Sequence, residues 1–527
     1  MLCEAGLIPE AAILDLGRGS GVILLQWQKR LKMFKQLSIE KKITYAVCIL
    51  VTIYGLYSIF WGEKIPAGGG LGFDGVVYGN AAKGFYTTIV NKKIDNLSLL
   101  RIFPSGVIYC CLQILRVGRT NANIITAFSI YNFILILLSI YLWFKIAKKF
   151  QLSDRLLLMG LISFLFSYGI MKLDFYYPVL TDTTAFFLGF LTVWGYINNN
   201  NAIMFLCVLV GAFTWPTIIY AVPLLQIFRH EEPPPAMHDF KIRHLFIIAL
   251  IVTLISIALY THFGSSLGQV YGIEVYDWLL PLGLACLAAY VFFAFNYLAN
   301  FDIKAFIFSI HRRLNYRWLI IYVVIIILLT VLSKLYPRPF HGMTFMRYLG
   351  WISLANAAKP FYALIAHVVY YGPIVLLALF FWKKISVHVQ RYGTGLMCFF
   401  AFYLFQSVGP ESRHLMFFFP FFVTFTLLAL KECSVSNLFL TIYVIVAIGF
   451  SKCWFMINND EFVQTINKMN SYNWNAIYSP VIQRYCMSSG LYMNFSSYII
   501  QGVFVILSGI ILFLIHFKNN RLCKNSL

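Results

Sequence analysis

The chain has 527 residues, of which 60% are hydrophobic, 18% aromatic and only 12% charged, with a mean hydropathy of +0.76. A soluble domain carries roughly 25% charged residues, so this composition excludes a water-solvated globule and gives much of the surface to lipid. The 41 basic against 20 acidic residues leave a formal charge of +21. With no basic stripe interleaved with stacking aromatics, that excess reads as loops that set topology and touch anionic membrane lipid, with no nucleic acid as partner.

The first 32 residues hold Ile13-Leu14-Asp15-Leu16-Gly17-Arg18-Gly19-Ser20-Gly21, which is similar to the first glycine loop of class I methyltransferases that bind S-adenosylmethionine. Such a loop works only between a strand and a helix of a Rossmann unit. By Ile43 the chain is already apolar enough for lipid, so the loop reads as a decoy. Met33-Phe34-Lys35-Gln36 reads as a natural cytoplasmic start, which makes 1–32 a dispensable extension or a misread start. Its charges follow its apolar stretch, the wrong order for a secretory signal.

Apolar runs follow at 43–61, 124–144, 156–171, 183–197, 245–260, 279–299, 318–333, 361–382, 393–408, 415–430, 438–451 and 498–517. A helix needs about 20 apolar residues to span hydrocarbon, and the shorter runs borrow aromatic and polar flanks. The expectation is an all-α, polytopic transmembrane protein with about twelve full crossings. The run 202–228 is broken by Trp215-Pro216, with Pro223 beyond. Proline removes a helix donor and clashes with the preceding turn. We therefore read two short half-helices that meet at Thr214–Thr217 and return to the cytoplasm.

Charge tests this layout. The segments assigned to the cytoplasm (29–42, 145–155, 229–244, 300–317, 383–391, 431–437 and 518–527) hold 24 Lys and Arg in 85 residues. The exoplasmic ones (62–123, 172–182, 261–278, 334–360, 409–414 and 452–497) hold 16 in 170. Counting 202–228 as one crossing would put Arg312-Arg313 and Lys383-Lys384 outside, against the positive-inside rule. Both termini are expected in the cytoplasm, in a plasma or inner membrane. The 11 cysteines show no CxxC or zinc spacing and read as small apolar residues. Cys453 and Cys486, both in exoplasmic segments, could form a disulfide.

Asp74, in Gly72-Phe73-Asp74-Gly75-Val76-Val77-Tyr78, precedes a helical run with Tyr78 on one face. It reads either as the N-cap of that run or as a rigidly held catalytic carboxylate. Asp174 and Asp182 bracket a short loop with Tyr176 and Tyr177. Asp182 is a cap or, with Asp174, a pair able to orient a sugar or act as acid and base. In the turn Gly409-Pro410-Glu411-Ser412-Arg413-His414, three ionisable groups form either a local Glu411–Arg413 pair or a phosphate clamp. Arg101 and Arg347 are further basic candidates, and Arg338 and His341 read as solvated loop residues.

These motifs resemble the GT-C class of multipass glycosyltransferases, which use a polyprenyl-phosphate-linked sugar. Four stretches carry the resemblance: Phe73-Asp74-Gly75, Arg101-Ile102-Phe103-Pro104-Ser105, Tyr177-Pro178-Val179-Leu180-Thr181-Asp182, and Gly211-Ala212-Phe213-Thr214-Trp215-Pro216-Thr217. They cover roughly residues 43–230. The resemblance implies Asp74, Asp182 and Asp174 as catalytic residues, with Arg101, Tyr78, Tyr177, Arg347, Arg413, His414 and Glu411 binding substrate. It implies a lipid-linked sugar as donor and a glycan, lipid or protein as acceptor. Gly75 stands where the class often has a second acid, so a divalent metal is left open. The implied organisation is a cytoplasmic segment 1–42, a GT-C-like module 43–244 with loop 62–123, a second transmembrane module 245–517 with loop 452–497, and a tail 518–527. The rival is a lipid flippase or solute transporter, because broken helices also frame midplane transport sites. Ionisable groups gathered at one face, and no internal repeat, weigh against it.

Overall fold

In the computed structural model, the residues described are 38–92, 94–228, 250, 251, 253–258, 262, 274–298, 310–336, 345–433, 435–468, 477–487 and 490–525. The glycine loop, Arg338, His341 and half of the 245–260 run lie outside them. The structure is 78% helical, and among the described residues the one β pairing is an isolated bridge between Phe228 and Leu314.

Among the described residues, five helices are long and apolar enough to cross a bilayer: Lys41–Phe60, Asn121–Lys149, Asp277–Asn296, Tyr316–Lys334 and Phe495–His516. Two bent pairs bring the number to seven if each is one span, and six shorter apolar helices accompany them. Small polar side chains start several of these helices by accepting orphan amides. Ser38 accepts from Lys41, Thr120 from Asn123, Ser153 from Leu156, Asn200 from Ile203 and Ser436 from Phe439. The outer faces stay apolar. Leu50, Ile53, Ile320, Leu328, Ile500 and Ile506 are all exposed, a surface that hydrocarbon tolerates and water does not.

The core forms around helix Asp182–Ile197, which packs on Asn121–Lys149, Asn201–Ala212 and Phe419–Leu430. Rings of Phe164, Phe186, Phe190 and Phe419 interlock there, with Phe164 and Phe190 centroids 4.7 Å apart. Gly189 permits the close approach, since a Cβ there would lie 2.3 Å from the Phe417 carbonyl oxygen.

The broken run forms a hairpin of Asn201–Ala212 and Ile218–Ile227. Its two ends meet, because Gln226 Nε2 donates to the Asn201 carbonyl oxygen at 3.0 Å. The chain therefore doubles back on itself at this break. Tyr322 closes the base by donating to Gln226 Oε1.

Two boundaries differ from the sequence reading. The run 361–382 is two helices, Tyr362–Tyr371 and Ile374–Arg391, separated at Gly372-Pro373. The first of them pairs instead with Phe345–Ala358, within a segment read as loop, across a 91° bend. Pro360 cannot continue a helix, and Phe361 takes a left-handed φ of 54°, so the apolar pattern runs on while the backbone turns. The 156–171 run likewise bends by 50°, through a π-helical turn at Tyr168–Leu173.

Loops assigned to the same side by charge touch one another. At one end Lys384 and His388 meet Glu432, Arg155 reaches the Val435 carbonyl, and Lys431 reaches that of Phe150. At the other, Glu63 pairs with Lys172 and accepts the amides of Ile457 and Asn458. Asn458 also receives the Tyr176 hydroxyl at 2.8 Å. Cys453 and Cys486 are both free thiols, so the weighed disulfide is not formed.

Candidate functional site

Four segments predicted for one face converge on one cavity of about 90 Å³. Asp74 and Phe73 enter from the first loop, Tyr177 and Leu180 from 172–182, Glu411 and Arg413 from the 409–414 turn, and Tyr485 and Tyr492 from 452–497. The volume exceeds what one or two waters fill. Tyr168 and Tyr370 complete an aromatic wall.

Asp74 occupies the N-cap position of helix Gly75–Lys83, yet its side chain makes no capping hydrogen bond. The cap reading is thereby corrected. Its Oδ2 instead accepts from Arg413 Nη2 at 3.0 Å, with the two side chains 30% and 25% exposed. The helix amide at Gly75 is satisfied by the Tyr177 hydroxyl at 2.9 Å. The close fit needs glycine at position 72, where φ is +83° and a Cβ would lie 2.1 Å from the Tyr177 ring.

Arg413 also donates through Nε to Glu411 Oε1. The local pair and the long-range pair thus coexist on one guanidinium, whose planar fork suits two carboxylates. His414 Nε2 lies 3.5 Å from Glu411 Oε2. Arg101 sits with Cζ 5.1 Å from the Trp215 ring centroid, on the tip of the hairpin. The Trp215 ring packs 6.2 Å from that of His414. Hairpin, first loop and 409–414 turn therefore share this indole.

No protein-family model, no curated protein and no solved structure matches this chain.

The site is accordingly read from its own electrostatics. Burial pushes the Asp74 carboxyl upward, but Arg413 and Arg101 outweigh that and hold it below its ordinary value. Burial also acts to raise Glu411, and His414 and Arg413 overcome it, bringing it down to about 2. Burial is the main cause that lowers His414, to about 4, so the ring is neutral at physiological pH.

Asp174 and Asp182 are buried behind the cavity rather than lining it. Oδ2 of Asp174 and Oδ1 of Asp182 have no hydrogen-bond partner, and Asp182 stands at the first turn of its helix rather than at the cap. Tyr78, Arg101 and His414 also pack behind the lining. Arg347 lies on helix Phe345–Ala358, with its side chain outside the described residues. Among the described residues no three His, Cys, Asp or Glu side chains gather to hold a metal. The Asp74 carboxylate, moreover, is already neutralised by Arg413. Among the described residues, the donor set does not fit a divalent ion.

Sequence reasoning missed Tyr168, Tyr370, Tyr485, Tyr492 and Trp215 as site residues. The tyrosines were indistinguishable from interfacial anchors, and Trp215 served only to mark the helix break.

A second cavity of about 70 Å³ lies between the helices after residue 274, lined by Phe293, Leu379, Trp382, Phe418 and Phe422 among others. It adjoins the first through His367, Tyr371 and Ser412.

Proposed function

We propose that this protein is a multipass membrane glycosyltransferase, with about twelve crossings and both termini cytoplasmic. It moves a sugar from a polyprenyl-phosphate donor to an acceptor hydroxyl at the exoplasmic face. The observation that carries this reading is the Asp74–Arg413–Glu411 cluster, which lines an aromatic-walled cavity beside an apolar one. Aromatic faces and a few aimed polar groups suit a sugar ring, and an apolar cavity among the later helices suits a hydrocarbon chain.

In the reaction, the acceptor oxygen bonds to the anomeric carbon as the bond from that carbon to the phosphate oxygen breaks. The acceptor proton passes to Asp74 and polyprenyl phosphate leaves. With its pKa depressed by arginine, Asp74 is a weak base; its main work is to orient the hydroxyl and take the proton late. Arg413 has already committed two nitrogens to carboxylates, so its first role is to hold Asp74 in place. Relief of charge on the leaving phosphate is shared with Arg101. Asp182, with Asp174 behind it, supports the pocket wall next to Arg413, whose charge feels Asp182.

The transporter reading keeps one point in its favour, the hairpin broken at Trp215-Pro216. The ionisable residues of the site gather at one end of the bundle, however, and this favours chemistry there. Purified protein in nanodiscs, given a panel of radiolabelled polyprenyl-phosphate sugars and a membrane-glycan extract, should release polyprenyl phosphate and label the acceptor. Asp74→Asn should do neither. Silence across the panel, with substrate flux in proteoliposomes, would replace the enzyme by a transporter.

A further inference from the structure

Helix Tyr362–Tyr371 carries a histidine that the transfer reading leaves unused. His367 is 4% exposed. Burying an imidazole among apolar side chains is costly unless its nitrogens are paired, and here both are. Nε2 lies 2.7 Å from the Ser407 carbonyl oxygen, and Nδ1 lies 2.9 Å from Ser412 Oγ. A carbonyl can only accept, so Nε2 carries the proton. In the neutral ring Nδ1 is then an acceptor and takes the Ser412 hydroxyl proton.

The two partners are the two ends of one turn. Ser407 caps the preceding helix Thr394–Gln406, and Ser412 opens the short 3₁₀ turn that bears Arg413 and His414. Tyr371, one helical turn beyond His367 on the same face, donates to the Ser412 carbonyl oxygen at 2.6 Å. Asn356 Nδ2 donates to the Val408 carbonyl oxygen at 2.7 Å. The turn is therefore clamped from behind, while Glu411 and Arg413 face the cavity in front.

We propose that His367 is a positioning residue, a brace across residues 407–412 that sets Arg413 at the distance and angle at which it meets Asp74. Its kinetic test rests on the transfer reading; its geometric test does not.

His367→Gln keeps a donor where Nε2 stood and loses the acceptor for Ser412. Ser412→Ala removes the same bond from the other side. Each should lower kcat about tenfold with KM changed by less than about twofold, because a small misplacement of a reacting group costs rate rather than affinity. The double variant should lose no more than either single one, since both remove one bond. Multiplying losses, or a raised KM with kcat intact, would overturn the brace. Thermal unfolding supplies the second reading, through a cycle of Ser412→Ala with Asp74→Asn, both conservative enough to fold. Coupled shifts in Tm are expected, because loosening the turn already weakens the ion pair. Strictly additive shifts would refute the brace even if no transfer is ever detected, whereas a silent wild-type enzyme with coupled shifts would discard only the transfer reading.

Discussion

Arg413 Nη2 lies 3.0 Å from Asp74 Oδ2 although 339 residues separate them in sequence. The pair joins the first loop to a late turn, and it is only partly shielded from solvent. Its contribution to stability is thus modest, about 1 kcal/mol once solvent screening is allowed for, while its effect on geometry is large.

Asp74→Asn should therefore fold and reach the membrane, yet lose roughly 10²–10⁴-fold in transfer rate. Exchanging the two residues, Asp74→Arg with Arg413→Asp, should restore neither Tm nor activity, because an aspartate at 413 would face Glu411 and an arginine at 74 would face Arg101. Full activity in Asp74→Asn would remove this carboxylate from the mechanism.

Acid should act in two stages. The folded His414 value is depressed from 6.5 to about 4, so the unfolded chain binds the proton more readily and stability falls as pH drops from 6.5 toward 4. Glu411 is depressed from 4.5 to about 2. Its stabilisation is complete above 4.5 and is lost as pH falls toward 2. A His414→Gln variant should flatten the first stage and, because the charge of His414 leads in holding Glu411 down, move the second stage to higher pH, as read by Tm in detergent across that range.

Glycines at two positions separate strain from collision. Gly372 has φ +82° with nothing within 4 Å of an added Cβ, so Gly372→Ala should cost about 1–2 kcal/mol from conformation alone. At Gly72 the same kind of φ is joined by the Tyr177 ring. Gly72→Ala should cost more in Tm and should also impair transfer, by displacing the hydroxyl that holds the Gly75 amide. Equal effects at the two sites would show that the ring yields freely.

Tyr322→Phe should lower stability by about 1–3 kcal/mol, since it strips the partner from Gln226 Oε1 at the hairpin base. Denaturation in detergent would measure this. An unchanged midpoint would mean that water or lipid headgroups replace the hydroxyl.

The all-helical, membrane-spanning character was legible in the sequence because lipid enforces a simple rule, apolar runs between charged ends; the twelve crossings counted from those runs were not, since among the described residues five helices, or seven with the bent pairs, are long enough to span. The hairpin at 201–227 followed from Pro216 and the basic count on either side. The convergence of segments around Asp74, Tyr177 and Arg413 followed from placing them on one face. What the runs concealed was bending: Phe361 turns its helix by backbone conformation, and an apolar pattern continues unbroken through such a corner. The capping alternative for Asp74 failed because a partner 339 residues away leaves no local trace. Asp174 and Asp182 were visible as charges, but whether they faced the cavity or stood behind it depended on packing.

The ties of Glu63 set an order of assembly. Its carboxylate meets Lys172 first and gains the amides of Ile457 and Asn458 only when most of the polypeptide has been made. Until then Lys172 alone offsets its charge, and its remaining acceptor capacity is left to water. Truncation before residue 457 should accordingly yield a product that is inserted but quickly degraded.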